Sequence, residues 1–196
     1  MKAKTPLFGI ILVFCVESRV AQVCSDPLNI IYGLDGKGNI VPIIVNTASV
    51  VAALTSSGDP GYPGSTSNSN SIGLAIQTST FYYFQNNSSA TQKFVSFNAI
   101  TNTYPTLANS PISGSDVRGS VTADGTGYYC LDASGTLCYY NIGSNSWVKI
   151  GSNLVNQFGT NLSSTFTSLN TGDMAIDGLG RLWIVAANSS NWGSIC

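Results

Sequence analysis

An internal repeat constrains this chain more than any other feature of its sequence. Two copies share a glycine, an aspartate five residues later and a second glycine three residues after that: Gly119, Asp124 and Gly127 in one copy, Gly172, Asp177 and Gly180 in the other. A weaker third copy begins at Gly73. Such self-similarity indicates one structural unit that recurs and buries its faces against neighbouring copies.

The second half of the unit recurs as well. Residues 131–137, which contain Asp132 and Gly135, are matched by residues 34–40, and residues 97–104 match residues 140–147. The copies are spaced by roughly 45 to 50 residues, which is the length of a four-stranded propeller blade. Four positions in the chain therefore carry pieces of one unit.

The runs between the turns are short and apolar throughout: residues 81–84, 128–131 and 182–185. A strand alternates apolar and polar residues only when one of its faces meets water. These strands are therefore expected to be buried on both faces, as in stacked blades. We predict an all-β fold, a partial β-propeller of about three and a half four-stranded antiparallel blades.

The turns between these runs have recognisable residue types. The Asp-Gly pairs at 124–125 and 177–178 predict tight turns in which the glycine adopts a positive φ. Residues 132–136 predict a three-residue hairpin loop with Gly135 in the left-handed region. The turn and repeat signature is therefore a structural prediction about Gly119, Asp124, Gly127, Asp132, Gly135, Gly172, Asp177 and Gly180.

The first 21 residues are expected to be a signal peptide. Lys2 and Lys4 precede an apolar run at residues 7–16, a pattern typical of secretory signals and too short to span a bilayer, which takes about 20 residues. A lipoprotein signal at Cys15 is the alternative, although the bulky Phe14 disfavours it. Cleavage after Ser18 and cleavage after position 21 both stay open.

Residues 22–196 are expected to form the propeller segment, with blades at about 30–54, 72–107, 118–150 and 172–187. The first blade has no first strand and the last is incomplete, stopping after its second strand. We therefore expect the N-terminal part of a longer propeller, because rings typically contain 4–8 blades. A small four-bladed ring with one weak blade is the alternative.

Charge and hydropathy exclude two classes of partner. Charged residues make up 9% of the chain, against about 25% in ordinary proteins. From residue 22 onward there are five basic and eight acidic residues, a net charge of −3. A chain without a basic patch has little support for nucleic-acid binding. No second apolar run is long enough to cross a membrane after the signal is removed.

The residue types needed for common catalytic sites are scarce. The chain has no histidine, which excludes Ser-His-Asp and Cys-His nucleophilic sites and histidine-containing metal sites. A glycosidase could use two aspartates, but four of them fall in predicted turns: Asp35, Asp124, Asp132 and Asp177. Asp116 and Asp173 are weak calcium-ligand candidates. We predict no catalytic residue, no metal site and no cofactor.

Cys130 and Cys138 are expected to lie directly opposite each other, because the predicted hairpin loop between them has three residues. An exported protein can form a disulfide there. Two buried free thiols are the alternative, because the equivalent positions, Phe84 and Val95, are not cysteines. The repeated aromatic residues are expected to pack between blades, and any exposed ring could stack on a sugar.

Residues 172–186, which read Gly-Asp-Met-Ala-Ile-Asp-Gly-Leu-Gly-Arg-Leu-Trp-Ile-Val-Ala, resemble the repeating unit of NHL/Kelch-like β-propellers. With the signal peptide, the Cys-Ser-Asp-Pro sequence at 24–27 and the Tyr/Asn-rich blades, the chain resembles the N-terminal part of uncharacterised secreted propeller proteins of bacteria. Those proteins carry a C-terminal sorting domain, which this sequence lacks. The resemblance implies the fold and a secreted or cell-surface location, but no activity, since propellers have many functions.

The sequence thus favours a secreted, non-enzymatic propeller segment that serves as a binding or display scaffold. Its expected partner is a glycan or a cell-surface protein. One alternative is a propeller-type hydrolase or lyase whose active residues lie partly in further C-terminal blades. The other is a non-functional truncated product.

Overall fold

The structure is a computed structural model that describes residues 29–55, 58–60, 69–86, 92–112, 117–132, 135–151, 171–188 and 191–195. The expected signal peptide, residues 1–21, lies outside these ranges. The described residues form thirteen strands and one short 3₁₀ turn, Ile76–Thr78. The strands are arranged in four sheets, and all neighbouring strands in each sheet are antiparallel.

Each sheet is a meander in which strands follow one another in chain order. Sheet 1 contains β1 (Ile30–Leu34), β2 (Ile40–Ile44) and β3 (Ser49–Val50). Sheet 2 contains β4 (Asn70–Ala75), β5 (Thr80–Asn86) and β6 (Gln92–Asn98). Sheet 3 contains β7 (Arg118–Val121), β8 (Gly127–Leu131), β9 (Leu137–Asn141) and β10 (Ser146–Gly151). Sheet 4 contains β11 (Thr171–Ile176), β12 (Leu182–Asn188) and β13 (Asn191–Ile195).

The sheets stack face to face in chain order, with the first strands of sheets 2, 3 and 4 side by side. β4 packs against β7, β7 packs against β11, and β1 touches β4. Successive meanders stacked around a line of first strands are the blades of a β-propeller. The described part of the chain is therefore all-β and has the architecture of a partial propeller, as the repeat predicts.

Burial confirms that strand β5 is covered on both faces. In β5, Phe81 and Tyr83 pack towards sheet 1, whereas Tyr82 and Phe84 pack towards sheet 3, and all four are buried. Full burial of side chains of this size stabilises a fold by about 1.5 to 3 kcal/mol each. The aromatic run of β5 therefore holds sheets 1, 2 and 3 together.

The repeated glycines are required by this aromatic packing. A Cβ on Gly119 would overlap the ring and hydroxyl of Tyr128, and a Cβ on Gly127 would overlap the ring of Tyr139. The hydroxyl of Tyr128 donates a 2.6 Å hydrogen bond to the carbonyl oxygen of Ser71, which ties sheet 3 to sheet 2. The signature glycines Gly119 and Gly127 thus make room for the rings of Tyr128 and Tyr139.

Two strand predictions differ from the structure. The fourth strand expected near the end of the second blade is reduced, among the described residues, to a bridge between Asn98 and Thr103. The last blade does not stop after its second strand, because β13 adds a third. Asn188 pairs with Asn191 where β12 meets β13. The sequence did not predict β13 because residues 188–194 are mostly Asn and Ser, which are not typical of strands.

Candidate functional site

Three aspartates close turns of the same form. Asp35, Asp132 and Asp177 each accept, at their carbonyl oxygen, the N–H of a glycine three residues later, at 3.0, 3.1 and 2.9 Å. Their carboxylates accept the N–H four residues later, at 2.8, 2.7 and 3.0 Å. Their glycines have the positive φ values 84°, 78° and 77°: Gly38, Gly135 and Gly180. These aspartates therefore have structural roles in turns.

The hairpin predicted at Gly135 is confirmed, whereas the turn after β11 differs in detail. Its positive-φ residue is Gly180 rather than Gly178. The reason is that the loop has three residues, so the left-handed position falls third rather than first after Asp177.

Asp124 is placed differently from Asp177, although the sequence repeat aligns the two. In the turn between β7 and β8, Thr122 takes the first position, and its carbonyl accepts the N–H of Gly125 at 2.8 Å. Gly125 has a φ of 70°, so it is the counterpart of Gly180. Asp124 lies in the exposed middle of the turn. The structural counterpart of Asp177 is therefore Thr122, two residues before the Asp124 that the sequence repeat aligns with it.

The carboxylate of Asp124 is exposed and ionised. Its Oδ1 accepts hydrogen bonds from the hydroxyl of Thr122 at 2.6 Å and from the N–H and hydroxyl of Thr126 at 3.1 and 2.9 Å. These donors hold the pKa of Asp124 below its usual value. No hydrogen bond from the described residues reaches Oδ2, which leaves that oxygen able to accept one from a ligand.

The turns after β7 and β11 lie next to each other and enclose a cleft of about 290 Å³. We call it the turn cleft; it is lined by Thr122, Ala123, Asp124, Tyr129, Ile176, Gly178 and Gly180. It is the open end of the interface between sheets 3 and 4, which is closed deeper down by the buried Leu131, Leu137 and Met174. The ring of Tyr129 is held by Tyr139, with the ring centroids 4.8 Å apart.

Asp177 fixes the side chains beside the turn cleft. Its Oδ2 accepts hydrogen bonds from Trp183 Nε1 at 3.0 Å and from Arg181 Nε at 2.6 Å. Those donors, with the backbone N–H of Arg181, hold the pKa of Asp177 well below its usual range. The Arg181 guanidinium lies over the Trp183 ring, 5.5 Å from its centroid. Leu179 projects from the turn with 79% of its surface exposed, and Trp183 is 47% exposed.

The exposure of Trp183 is a correction to the expectation that the repeated aromatics pack between blades. Trp183 is paired with Ala175 of β11, on the face of β12 opposite to Leu182 and Ile184, which pack on sheet 3. Among the described residues no sheet covers that face. Sequence reasoning identified Asp124, Asp177 and Gly180 as turn residues, but it missed Tyr129 and Ile176, whose common cleft depends on how two sheets stack.

Cys130 and Cys138 lie directly opposite each other in β8 and β9, as the hairpin predicts. Both are free and fully buried. Burial raises the pKa of both thiols, and for Cys130 the neighbouring Cys138 adds to the effect. Of the two states that the sequence leaves open, the structure contains the buried thiols, which are protonated at neutral pH and unreactive.

Gly119 and Gly172 lie away from the turn cleft, in the inner strands β7 and β11. Near them, burial raises the pKa of Asp173, which the charge of Arg118 partly offsets. Within the described ranges, no three side chains of the metal-binding types Cys, Asp, Glu and His are grouped to hold an ion. No helix in the described part of the chain is long and apolar enough to span a membrane.

Comparison with known proteins agrees on the fold. The chain is similar to a protein of unknown function from Bacteroides thetaiotaomicron, with a TM-score of 0.55 and 13% identity over 81% of this chain and 40% of that one. The fold is a partial β-propeller.

Two further solved structures are less similar. TolB from Acinetobacter baumannii has a TM-score of 0.49 and 12% identity, covering 80% of this chain and 34% of that one. The RRP9 WD40 repeats have a TM-score of 0.45 and 11% identity, covering 62% and 34%. The chain thus spans about 34–40% of the first two structures. No protein-family model matches the sequence, and no curated protein is similar to it.

Proposed function

We propose that this chain is a secreted, non-enzymatic segment of a β-propeller that binds a glycan or a cell-surface protein at the turn end of sheets 3 and 4. The observation that carries the proposal is the pre-arranged surface around Asp177. One carboxylate holds Arg181 and Trp183 in place while Leu179 projects beside them. Tryptophan and arginine are the residue types enriched in energetically dominant contacts.

Rigidity makes this surface suited to binding. A side chain that is immobilised on binding costs about 0.5 to 1.5 kcal/mol of conformational entropy. Arg181 and Trp183 are already held by hydrogen bonds at 2.6 and 3.0 Å and by the contact between guanidinium and ring. Part of that cost is therefore met when the protein folds.

The roles of the aspartates support a non-enzymatic function. Asp35, Asp132 and Asp177 accept backbone hydrogen bonds within their own turns, and Asp124 accepts three from Thr122 and Thr126. Glycoside hydrolysis ordinarily needs two carboxyl groups facing one bond. A single ionised carboxylate in a cleft suits ligand recognition better than acid–base chemistry.

The proposed location follows from the N-terminal sequence, whose positive start and ten-residue apolar run favour export from a bacterial cell. The proposed relation to NHL/Kelch-like repeats follows from residues 172–186. The proposed location is tested by expressing the full chain in a bacterial host and sequencing the N-terminus of the protein recovered outside the cytoplasm.

Binding is tested by screening the purified protein against an array of glycans and a panel of cell-surface proteins. The double variant Leu179→Ser, Trp183→Ala should lose at least tenfold in affinity for whichever ligand is found. The matched control is Val50→Ser, because Val50 is 67% exposed in sheet 1, away from the turn end. Equal binding by the double variant and the control would refute this surface as the contact site.

A further inference from the structure

The junction between sheets 2 and 3 contains a side chain that the junction between sheets 3 and 4 lacks. At the first junction, Gln77 lies in the turn after β4, and its carboxamide occupies the place where a Cβ on Gly125 would stand. At the second junction, no atom of the described residues lies within 4 Å of the equivalent point on Gly180 or on Gly178. The turn cleft therefore corresponds, at the junction of sheets 3 and 4, to the space that the amide of Gln77 fills at the junction of sheets 2 and 3.

One residue accounts for the difference. Gln77 is the second residue after β4, which ends at Ala75, and Ala123 is the second residue after β7, which ends at Val121. Ala123 lines the turn cleft, but its side chain is a single methyl group and cannot reach across it. The packing of Gln77 against Gly125 thus shows that a carboxamide fits beside a positive-φ glycine at a junction of this type.

The remaining walls define the rest of the ligand. Tyr129 offers an aromatic ring and Ile176 an aliphatic side chain, which suit the C–H face of a sugar. Asp124 offers an unoccupied carboxylate oxygen for a hydroxyl donor. No basic side chain is found among the described residues that line the cleft, so the negative charge of Asp124 would repel an anionic ligand. A volume of about 290 Å³ is just below the range of about 300–1,000 Å³ that is typical of ligand sites, so the cleft suits one small ring.

We propose that the turn cleft binds an N-acetylated sugar ring, with the acetamido group in the position that Gln77 occupies between sheets 2 and 3, a ring hydroxyl on Asp124 and the apolar sugar face on Tyr129. This inference rests on the proposed binding function and names its ligand class. The acetamido group is then the part of the ligand that the cleft recognises, and glucose, which lacks this group, should bind more weakly.

The decisive variant is Ala123→Gln, which gives sheet 3 the side chain that sheet 2 uses and so fills the cleft from within. Its matched control is Ala52→Gln. Ala52 is exposed, like Ala123, and follows β3 of sheet 1, outside the set of residues that line the turn cleft. Affinity for N-acetylglucosamine is measured by calorimetry and by amide chemical-shift changes in the labelled protein. We expect Ala123→Gln to weaken binding at least tenfold and Ala52→Gln to leave it unchanged.

Ligand chemistry is separated by two further probes. Glucose should bind at least tenfold more weakly than N-acetylglucosamine, and so should glucosamine, which carries an ammonium group instead of the acetamide. Shifts should concentrate on the amides of Thr126, Gly178 and Gly180. Asp124→Asn keeps the shape of the carboxylate and should weaken binding several-fold, and it serves as the second variant if Ala123→Gln does not melt like the native protein.

The inference would be overturned by unchanged affinity in Ala123→Gln, by equal affinity for glucose, or by tighter binding of glucosamine. The last would identify a cation site. A peptide with an asparagine or glutamine side chain that displaces the sugar at lower concentration would also overturn it. If no N-acetyl sugar binds while another ligand is lost by the Leu179 and Trp183 variant, this inference fails and the proposed function stands.

Discussion

Replacing Gly119 with alanine should strongly destabilise the protein, although it adds only one methyl group. The added Cβ would overlap the hydroxyl and ring of Tyr128, a side chain that is fully buried. Overpacking of a dense core costs about 1 to 3 kcal/mol. Moving the ring also breaks the 2.6 Å hydrogen bond from Tyr128 to Ser71, and an unsatisfied buried group costs about 1 to 3 kcal/mol.

The expected loss in the free energy of unfolding is therefore about 2 to 6 kcal/mol, a large share of the roughly 5–15 kcal/mol of a typical domain. Urea denaturation followed by circular dichroism measures it. The matched control is Gly178→Ala, because no atom in the described part of the chain lies within 4 Å of the added methyl and Gly178 is not in the left-handed region. That control should stay within about 0.5 kcal/mol of the native protein.

A double variant identifies the cause of the destabilisation. Tyr128→Leu removes the outer ring atoms that the new methyl would meet, so Gly119→Ala should cost less than about 1 kcal/mol in that background, a strong positive coupling between neighbouring sites. A loss under about 0.5 kcal/mol for Gly119→Ala alone, or an equal loss in both backgrounds, would refute the packing argument.

Three further predictions concern single groups. Gly180→Ala should destabilise by about 1 to 2 kcal/mol, because a Cβ is strained at a φ of 77° even in open space, and urea denaturation will show whether it does. The pKa of Asp177 is lower in the folded than in the unfolded protein, so its contribution to stability is present above the unfolded pKa of about 3.9 and is lost only as the pH falls through the folded pKa. Because Trp183 donates a hydrogen bond to this carboxylate, its fluorescence should stay constant from about pH 7 to about pH 4. A fluorescence transition at about pH 5 would contradict this. Cys130 and Cys138 should react with a thiol reagent at pH 8 at least tenfold more slowly in the native protein than in urea, because burial keeps them protonated, and rapid native labelling would show that β8 and β9 are accessible.

The sequence predicts those parts of the fold that depend on local chemistry. The period of the repeat indicates stacked four-stranded units, and the unalternating aromatic runs indicate strands with two buried faces, as Phe81 to Phe84 show. Asp132 and Gly135 predict their hairpin because its geometry depends on residues inside the loop. The opposition of Cys130 and Cys138 then follows from the loop length.

The remaining features depend on substitutions and contacts that a repeat alignment does not show. Thr122 replaces aspartate at the first turn position because its hydroxyl also accepts a backbone N–H, that of Gly127 at 2.9 Å, and this shifts the alignment of Asp124. The turn cleft exists because Ala123 is short where Gln77 is long. That difference matters only across a gap between two sheets, so it is invisible until the sheets are stacked.

The stacking of sheets also determines where this fold opens first. Because each sheet contacts chiefly its chain neighbours, stability is distributed along a row of interfaces, and protection from hydrogen exchange should fall from the large aromatic cluster between sheets 2 and 3 towards the small cluster of Leu131, Leu137 and Met174. A ligand in the turn cleft would contact both sheets of that weaker interface. Because the ligand would bind only when sheets 3 and 4 are packed together, its binding free energy would appear as slower hydrogen exchange in sheet 4. Ligand binding and opening of the interface between sheets 3 and 4 would then be coupled equilibria.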